Sequence, residues 1–112
     1  MVDDDFTFCQ VLAAALTKRG FAVSTAHDLP SACRIAERDP PEYVVLDLKM
    51  PGESGLGLVQ RLKALDDHTR IVVLTGYASI ATAVEAIKLG AVHYLTKPAD
   101  ADEIVQAFAR DS

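Results

Sequence analysis

Two stretches of this chain are apolar at every position, Tyr43-Val44-Val45-Leu46 and Ile71-Val72-Val73-Leu74. A strand with one polar face can lie against water, but a strand without one has to be covered on both sides. Helical patterns stand around these runs. Phe8, Val11, Leu12, Ala15 and Leu16 fall on one helical face, with Gly20 where a C-cap belongs. Residues 29–38 read as a helix stopped by Asp39-Pro40-Pro41, because the residue before a proline is pushed out of the α region. Leu58, Val59, Leu62 and Leu65 mark a helix over Leu56 to Leu65, and Ile80, Ala83, Val84 and Ile87 mark another that ends at Gly90. Phe21–Thr25 and Ala91–Thr96 read as further strands, and Asp100 caps a last helix carrying Ile104 and Phe108. Buried strands alternating with helices make βαβ units, so the expected fold is doubly wound α/β with a parallel sheet. Only Met1 and Val2 precede Asp3, Asp4 and Asp5, so the first strand is either a stub or begins upstream of these residues.

Length and charge narrow the function. With 112 residues the chain holds one domain, large enough to fold without disulfide or metal staples. Cys9 and Cys33 stand in apolar helical contexts without partners at ligand spacing, and both read as buried small side chains in a reducing compartment. Eleven basic against sixteen acidic residues give a net charge of −5, a field that repels phosphate backbones. The acidic start is the opposite of a signal peptide, and no apolar run spans a bilayer, which places the chain in the cytoplasm away from membranes.

In an open α/β sheet, ligands bind beyond the carboxyl ends of the strands. Asp3 and Asp4 follow the first strand, Asp47 follows Leu46, Thr75 follows Leu74, and Lys97 follows Thr96. One sheet would gather these side chains on one rim, where neighbouring carboxylates raise one another's pKa unless a cation intervenes. Mg²⁺, which favours carboxylate oxygen and retained water, answers that need. Taken singly, most have ordinary readings, with Asp3 to Asp5 as helix caps, Thr75 as a strand-end hydroxyl and Lys97 as a solvated charge. Asp47 does not, because it follows a fully apolar strand and has no helix to cap. Gly52, Ser54 and Gly55 read as a turn with positive φ, and His27, His68 and His93 as surface or strand-edge residues.

Val2-Asp3-Asp4-Asp5, Val45-Leu46-Asp47-Leu48-Lys49-Met50-Pro51 with Gly55, Val73-Leu74-Thr75-Gly76 and Tyr94-Leu95-Thr96-Lys97-Pro98 resemble, in order and spacing, the receiver domains of two-component response regulators. The stretch from Ile71 to Asp102 is most similar to redox-responding global regulators of the RegA, PrrA and ActR kind. The resemblance implies a flavodoxin-like, five-stranded sheet in the order 2-1-3-4-5, with the first strand truncated or missing, and one receiver domain over 1–112 with no effector domain. It implies that Asp47 accepts a phosphoryl group from a sensor histidine kinase. Mg²⁺ would sit on Asp3, Asp4, Asp47 and the backbone carbonyl of Lys49. Lys97, before a cis Pro98, would pair with a phosphoryl oxygen, and Thr75 and Tyr94 would form the switch. Lys49 and Tyr77 would set the phosphate's lifetime. The readout face would be the fourth helix, fifth strand and fifth helix, residues 78–110. A homodimer would form through that face or by strand exchange, and DNA would be reached only through an effector domain.

Other classes fit less well. A phosphohydrolase of the haloacid-dehalogenase kind needs a second acid two residues past its nucleophile, where Lys49 stands. A nucleotide binder would need a glycine-rich phosphate loop, and the chain has none. A degenerate receiver serving only for docking would have lost acids that are all present.

Overall fold

The computed structural model describes residues 1–3, 5–48, 55–76, 80–97 and 99–109. Among them, strands Tyr43–Asp47 (β1), Arg70–Thr75 (β2) and His93–Thr96 (β3) form a parallel sheet in the order β1-β2-β3. Helices Phe6–Lys18 (α1), Leu29–Arg38 (α2), Gly55–Leu65 (α3), Ile80–Lys88 (α4) and Ala101–Phe108 (α5) cover its faces.

Strand alternation divides the core in two. Val44, Leu46, Ile71 and Val73 pack against α2, α3 and α4, whereas Val45, Val72 and Leu74 pack against α1 and α5. Ile71, Val72, Val73 and Leu74 are wholly buried, each worth about 2 kcal/mol of apolar burial. Helix ends follow local chemistry. Asp28 accepts from Ser31 N at 2.7 Å, Asp5 accepts from Phe8 N at 3.0 Å, and Asp100 and Glu103 form a reciprocal capping box. Gly20, at φ 93°, turns the chain out of α1 into a backbone conformation that a side chain would oppose.

The expected strand at Phe21–Thr25 is not formed. A ladder needs consecutive pairings, and among the described residues Met1–Asp3 bonds this side only at Ser24 and Ala26. Val2 makes single parallel bridges to Ala26 on one side and Leu46 on the other. Val2 N donates to Val45 O at 2.7 Å, Asp47 N to Val2 O at 2.9 Å, Ala26 N to Met1 O at 2.9 Å and Asp3 N to Ala26 O at 3.1 Å.

Four expected core positions also face out, Leu65 at the end of α3 among them. Val11 is 67% exposed because α1 buries the narrower stripe Cys9, Leu12 and Leu16. Val84 and Ile87 are exposed because α4 approaches the sheet through Ala83 and Ala86, whose small side chains allow close packing. Cys9 is buried as expected, but Cys33 is only half-buried.

Candidate functional site

The carboxyl ends of the strands bring Asp3, Asp47, Thr75 and Lys97 to one rim. Asp47 closes β1, Thr75 closes β2, and Lys97 follows β3, with its backbone N–H donating to Thr75 O at 2.8 Å. Asp3 arrives directly after the Val2 bridge. The Lys97 ammonium lies 2.8 Å from Asp3 Oδ2 and 3.1 Å from Asp47 Oδ2. Both carboxylates are buried, and one ammonium lies between the two desolvated groups. Burial by itself pushes the Lys97 pKa down, but the close Asp3 and Asp47 carboxylates outweigh it and hold the ammonium above the usual lysine range. The ammonium also stands 4.8 Å from the centre of the Phe8 ring, within cation–π reach.

Asp3 is not a helix cap, since Asp5 takes that role; instead Asp3 Oδ1 accepts from Asp5 N at 3.0 Å. Its Oδ2 is buried and has no partner in hydrogen-bonding geometry among the described residues, the nearby ammonium acting on it as a charge. The Asp3 backbone carbonyl accepts from Cys9 Sγ at 3.4 Å and lies 3.0 Å from His27 Nδ1. A carbonyl only accepts, so the latter contact is a hydrogen bond when Nδ1 carries the proton. Burial, then the nearby Asp3 charge, pushes the Cys9 thiol up, which keeps it a neutral donor.

His27 therefore departs from the surface role expected of it: its ring also packs on Phe6, with centroids 3.8 Å apart. His93 sits on the β3 strand and His68 is exposed, as expected. Phe8, Cys9 and His27 were not legible as site residues. The spacing of Cys9 six residues after Asp3, one turn into a helix capped at Asp5, is the one signal that could have found any of them.

Thr75 is wholly buried, and its hydroxyl donates to Gly76 O at 3.0 Å rather than to a carboxylate. Tyr94 is half-buried against the core beneath α2, α3 and α4, away from the Lys97 cluster. Gly55 does not have the positive φ expected of it. Its need is close approach, because a Cβ there would stand 3.1 Å from Leu48 Cδ2 and 3.2 Å from Leu48 Cα. Asp4, Lys49, Gly52, Ser54, Tyr77 and Pro98 lie outside the described residues.

A family model described as the response regulator receiver domain matches residues 1–109. The chain belongs to the response regulator receiver family. It is 48% identical over 107 residues to the acid tolerance regulatory protein ActR of Rhizobium meliloti (strain 1021), covering 96% of this chain and 55% of ActR. It is 49% identical over 107 residues to the photosynthetic apparatus regulatory protein RegA of Cereibacter sphaeroides, covering 96% of this chain and 58% of RegA. The receiver thus spans little more than half the length of these relatives. Among solved structures, a Burkholderia pseudomallei response regulator with a phosphorylated aspartic acid, calcium ion and citrate superposes with a TM-score of 0.89 at 45% identity, over 96% of this chain and 63% of that one. The architecture is the flavodoxin-like receiver fold, a parallel sheet with helices on both faces.

A divalent cation fits the donor set of this receiver. Asp3 Oδ2 is a buried carboxylate oxygen without a hydrogen-bonding partner among the described residues, and it shares the Lys97 ammonium with a second buried carboxylate, Asp47. Hard carboxylate oxygens in that state are what such ions take. Among the described residues no helix is long and apolar enough to cross a membrane.

Proposed function

We propose that this receiver is the phosphoacceptor of a two-component signalling pathway and that Asp47 takes the phosphoryl group from a sensor histidine kinase. The observation that carries this reading is the Asp3–Lys97–Asp47 cluster at the carboxyl edge of the sheet. A carboxylate oxygen of Asp47 forms a bond to phosphorus as the phosphorus–nitrogen bond of the kinase phosphohistidine breaks, and the imidazole nitrogen leaves with the electron pair. Lys97, held by two carboxylates, moves its charge to a phosphoryl oxygen as the Asp47 carboxylate charge is consumed in the new acyl phosphate bond. Asp3, Asp4, Asp47 and the backbone carbonyl of Lys49 would hold Mg²⁺, which when bound neutralises charge on the transferring phosphoryl oxygens.

The rest of the reading builds on that chemistry. Residues 1–112 act as one receiver unit, a cytoplasmic signalling switch whose reacting group is its own side chain rather than an enzyme acting on a separate substrate. Its complete sheet is five-stranded in the order 2-1-3-4-5, supported by the bridges of Val2 to Ala26 and Leu46. Thr75 turns its hydroxyl from the Gly76 carbonyl to the phosphoryl group, and Tyr94 moves inward behind it. The change is read on residues 78–110, where exposed Val84 and Ile87 support a contact surface for a homodimer, with strand exchange the other route to a pair. Output passes to a DNA-binding effector domain supplied outside these residues. Lys49 and Tyr77, each two residues past Asp47 and Thr75, control water access to the phosphoryl group, and small replacements at both shorten its lifetime. A dephosphorylation time course unchanged in Lys49→Ala and Tyr77→Ala removes that part.

Incubation with acetyl phosphate and Mg²⁺, followed by intact mass measurement, tests the central reading. One phosphoryl adduct is expected on the unaltered chain and none on Asp47→Asn. An adduct that persists in Asp47→Asn overturns it.

A further inference from the structure

Phe8 stands where the apolar stripe of α1 meets the rim. The Asp5 carboxylate accepts from Phe8 N at 3.0 Å and the Asp5 carbonyl accepts from Cys9 N at 3.0 Å, so the first turn of the helix fixes the backbone at Phe8. Four residues on, Leu12 lies in the buried layer of Val45, Val72 and Leu74, and Phe8 packs against the same layer. Its ring is anchored on that apolar side, and the Lys97 ammonium lies over it, 4.8 Å from the centroid.

Packing alone does not call for a ring at this position. A leucine would continue the stripe and cover the same surface. What a ring adds is charge: its face carries a negative potential that attracts an ammonium, more strongly where water is excluded. Lys97 and Phe8 are both half-buried, so the contact is partly shielded from solvent.

The ring also differs in kind from the other neighbours of the ammonium. Asp3 Oδ2 at 2.8 Å and Asp47 Oδ2 at 3.1 Å hold it by charge. Phosphoryl transfer would alter both of these groups, because the Asp47 carboxylate is consumed in the acyl phosphate and the Asp3 charge is shared with the cation. A lysine head is strongly hydrated and its four-carbon stem is flexible, so an ammonium loosened from both carboxylates swings toward water unless something else holds it. The Phe8 ring keeps its attraction through both changes. A third carboxylate in its place would compete with the phosphoryl oxygens for the same charge. We propose that Phe8 is a positioning residue for phosphoryl transfer, its ring face holding the Lys97 ammonium at the rim while Asp47 takes the phosphoryl group, a role that rests on the phosphoacceptor reading of Asp47. Phe8 acts through Lys97, keeping a charge ready where negative charge develops on the phosphoryl oxygens.

Phenylalanines carrying one, two or three ring fluorines at position 8 test this, because fluorine draws charge from the ring face and changes its size little. Phe8→Leu keeps an apolar side chain and removes the ring. The first readout is the rate of adduct formation with acetyl phosphate and Mg²⁺, followed by intact mass. The rate is expected to fall with each added fluorine, to about one-third of the unaltered rate or less at three fluorines and in Phe8→Leu. The second readout is the proton shift of the Lys97 ε-methylene group in the metal-free chain, which phosphoryl transfer does not enter. It is expected upfield of its position in Phe8→Leu, since the stem end lies over the ring. Equal rates across the fluorinated series overturn the proposal and leave the phosphoacceptor reading standing. A slow Phe8→Leu chain beside an unchanged fluorinated series marks a packing role and overturns it too, as does a Lys97 shift that Phe8→Leu leaves in place. Should Phe8→Leu fail to fold, the fluorinated series decides alone. An unaltered chain that forms no adduct fails the phosphoacceptor reading, and the role of Phe8 falls with it.

Discussion

Replacing Lys97 by Met keeps a stem of similar length against Phe8 and removes the charge between Asp3 and Asp47. The side chains of Asp3 and Asp47 are 0% and 4% exposed while that of Lys97 is 29% exposed, so the change takes the ammonium away from two buried carboxylates rather than breaking a surface pair. Removing one partner of a buried pair costs about 3–5 kcal/mol, against about 0.2–1 kcal/mol for an exposed pair. Protonation sets a ceiling on the loss. An Asp with an ordinary pKa near 3.9 takes a proton at pH 7 for about 4 kcal/mol and at pH 5 for about 1.5 kcal/mol, at roughly 1.36 kcal/mol per pH unit. In the Lys97→Met chain the stranded carboxylate has a raised folded-state pKa, so its cost starts above the unfolded value and grows as pH rises. Urea unfolding in EDTA is expected to show a loss of about 3–4 kcal/mol at pH 7, on the order of 15 °C in melting temperature, shrinking to about 1.5 kcal/mol or less at pH 5. Mg²⁺ at ten times its Kd is expected to return about 1.4 kcal/mol. A loss below about 1 kcal/mol that is equal at pH 5 and pH 7 refutes the buried-pair reasoning.

Two glycines of α3 are expected to respond in opposite directions. Gly55→Ala pushes a Cβ against Leu48 Cα and is expected to cost about 1–3 kcal/mol, whereas Gly57→Ala meets nothing within 4 Å and is expected to gain about 0.5–1 kcal/mol; paired thermal melts check both. Burial, only partly opposed by Cys9, holds the Met1 ammonium below its ordinary value near 8. The folded state therefore favours the neutral amine, so stability is fullest above about pH 8 and falls as pH drops through the folded-state value. Subtracting the pH profile of an Nα-acetylated chain from that of the free amine between pH 6 and 8.5 isolates this slope, and a flat difference refutes it.

Elements set by local chemistry were legible in the sequence. α2 runs from Leu29 to Arg38 because Asp28 caps its start and Asp39-Pro40 stops it, and both signals lie within a few residues of the ends they fix. β1 and β2 were legible because a fully apolar run has no exposed face to offer. Phe21–Thr25 failed as a strand because pairing belongs to two segments, and among the described residues the pairing with Met1–Asp3 is confined to Ser24 and Ala26. The same limit hid His27, whose contact with the Asp3 carbonyl joins residues 24 positions apart. Val84 and Ile87 misled because periodicity identifies an apolar stripe without saying whether smaller Ala83 and Ala86 beside it will make the contact. Asp3, Asp47, Thr75 and Lys97 reached one rim because parallel strands all end on the same side, a consequence of topology that four separate sequence positions share.

The placement of Asp3 rests on the pairing of Met1–Asp3 with its two neighbours. Ordering Met1–Asp3 costs about 1–2 kcal/mol per residue in backbone entropy. Four backbone bonds to Val45, Asp47 and Ala26 return about 0.5–1.5 kcal/mol each, and burial of Val2 adds about 2 kcal/mol. These terms nearly cancel, so Met1–Asp3 is held by a small margin. Asp47 donates its own backbone N–H to Val2, which ties the proposed phosphoacceptor and the Asp3 carboxylate to the same three residues.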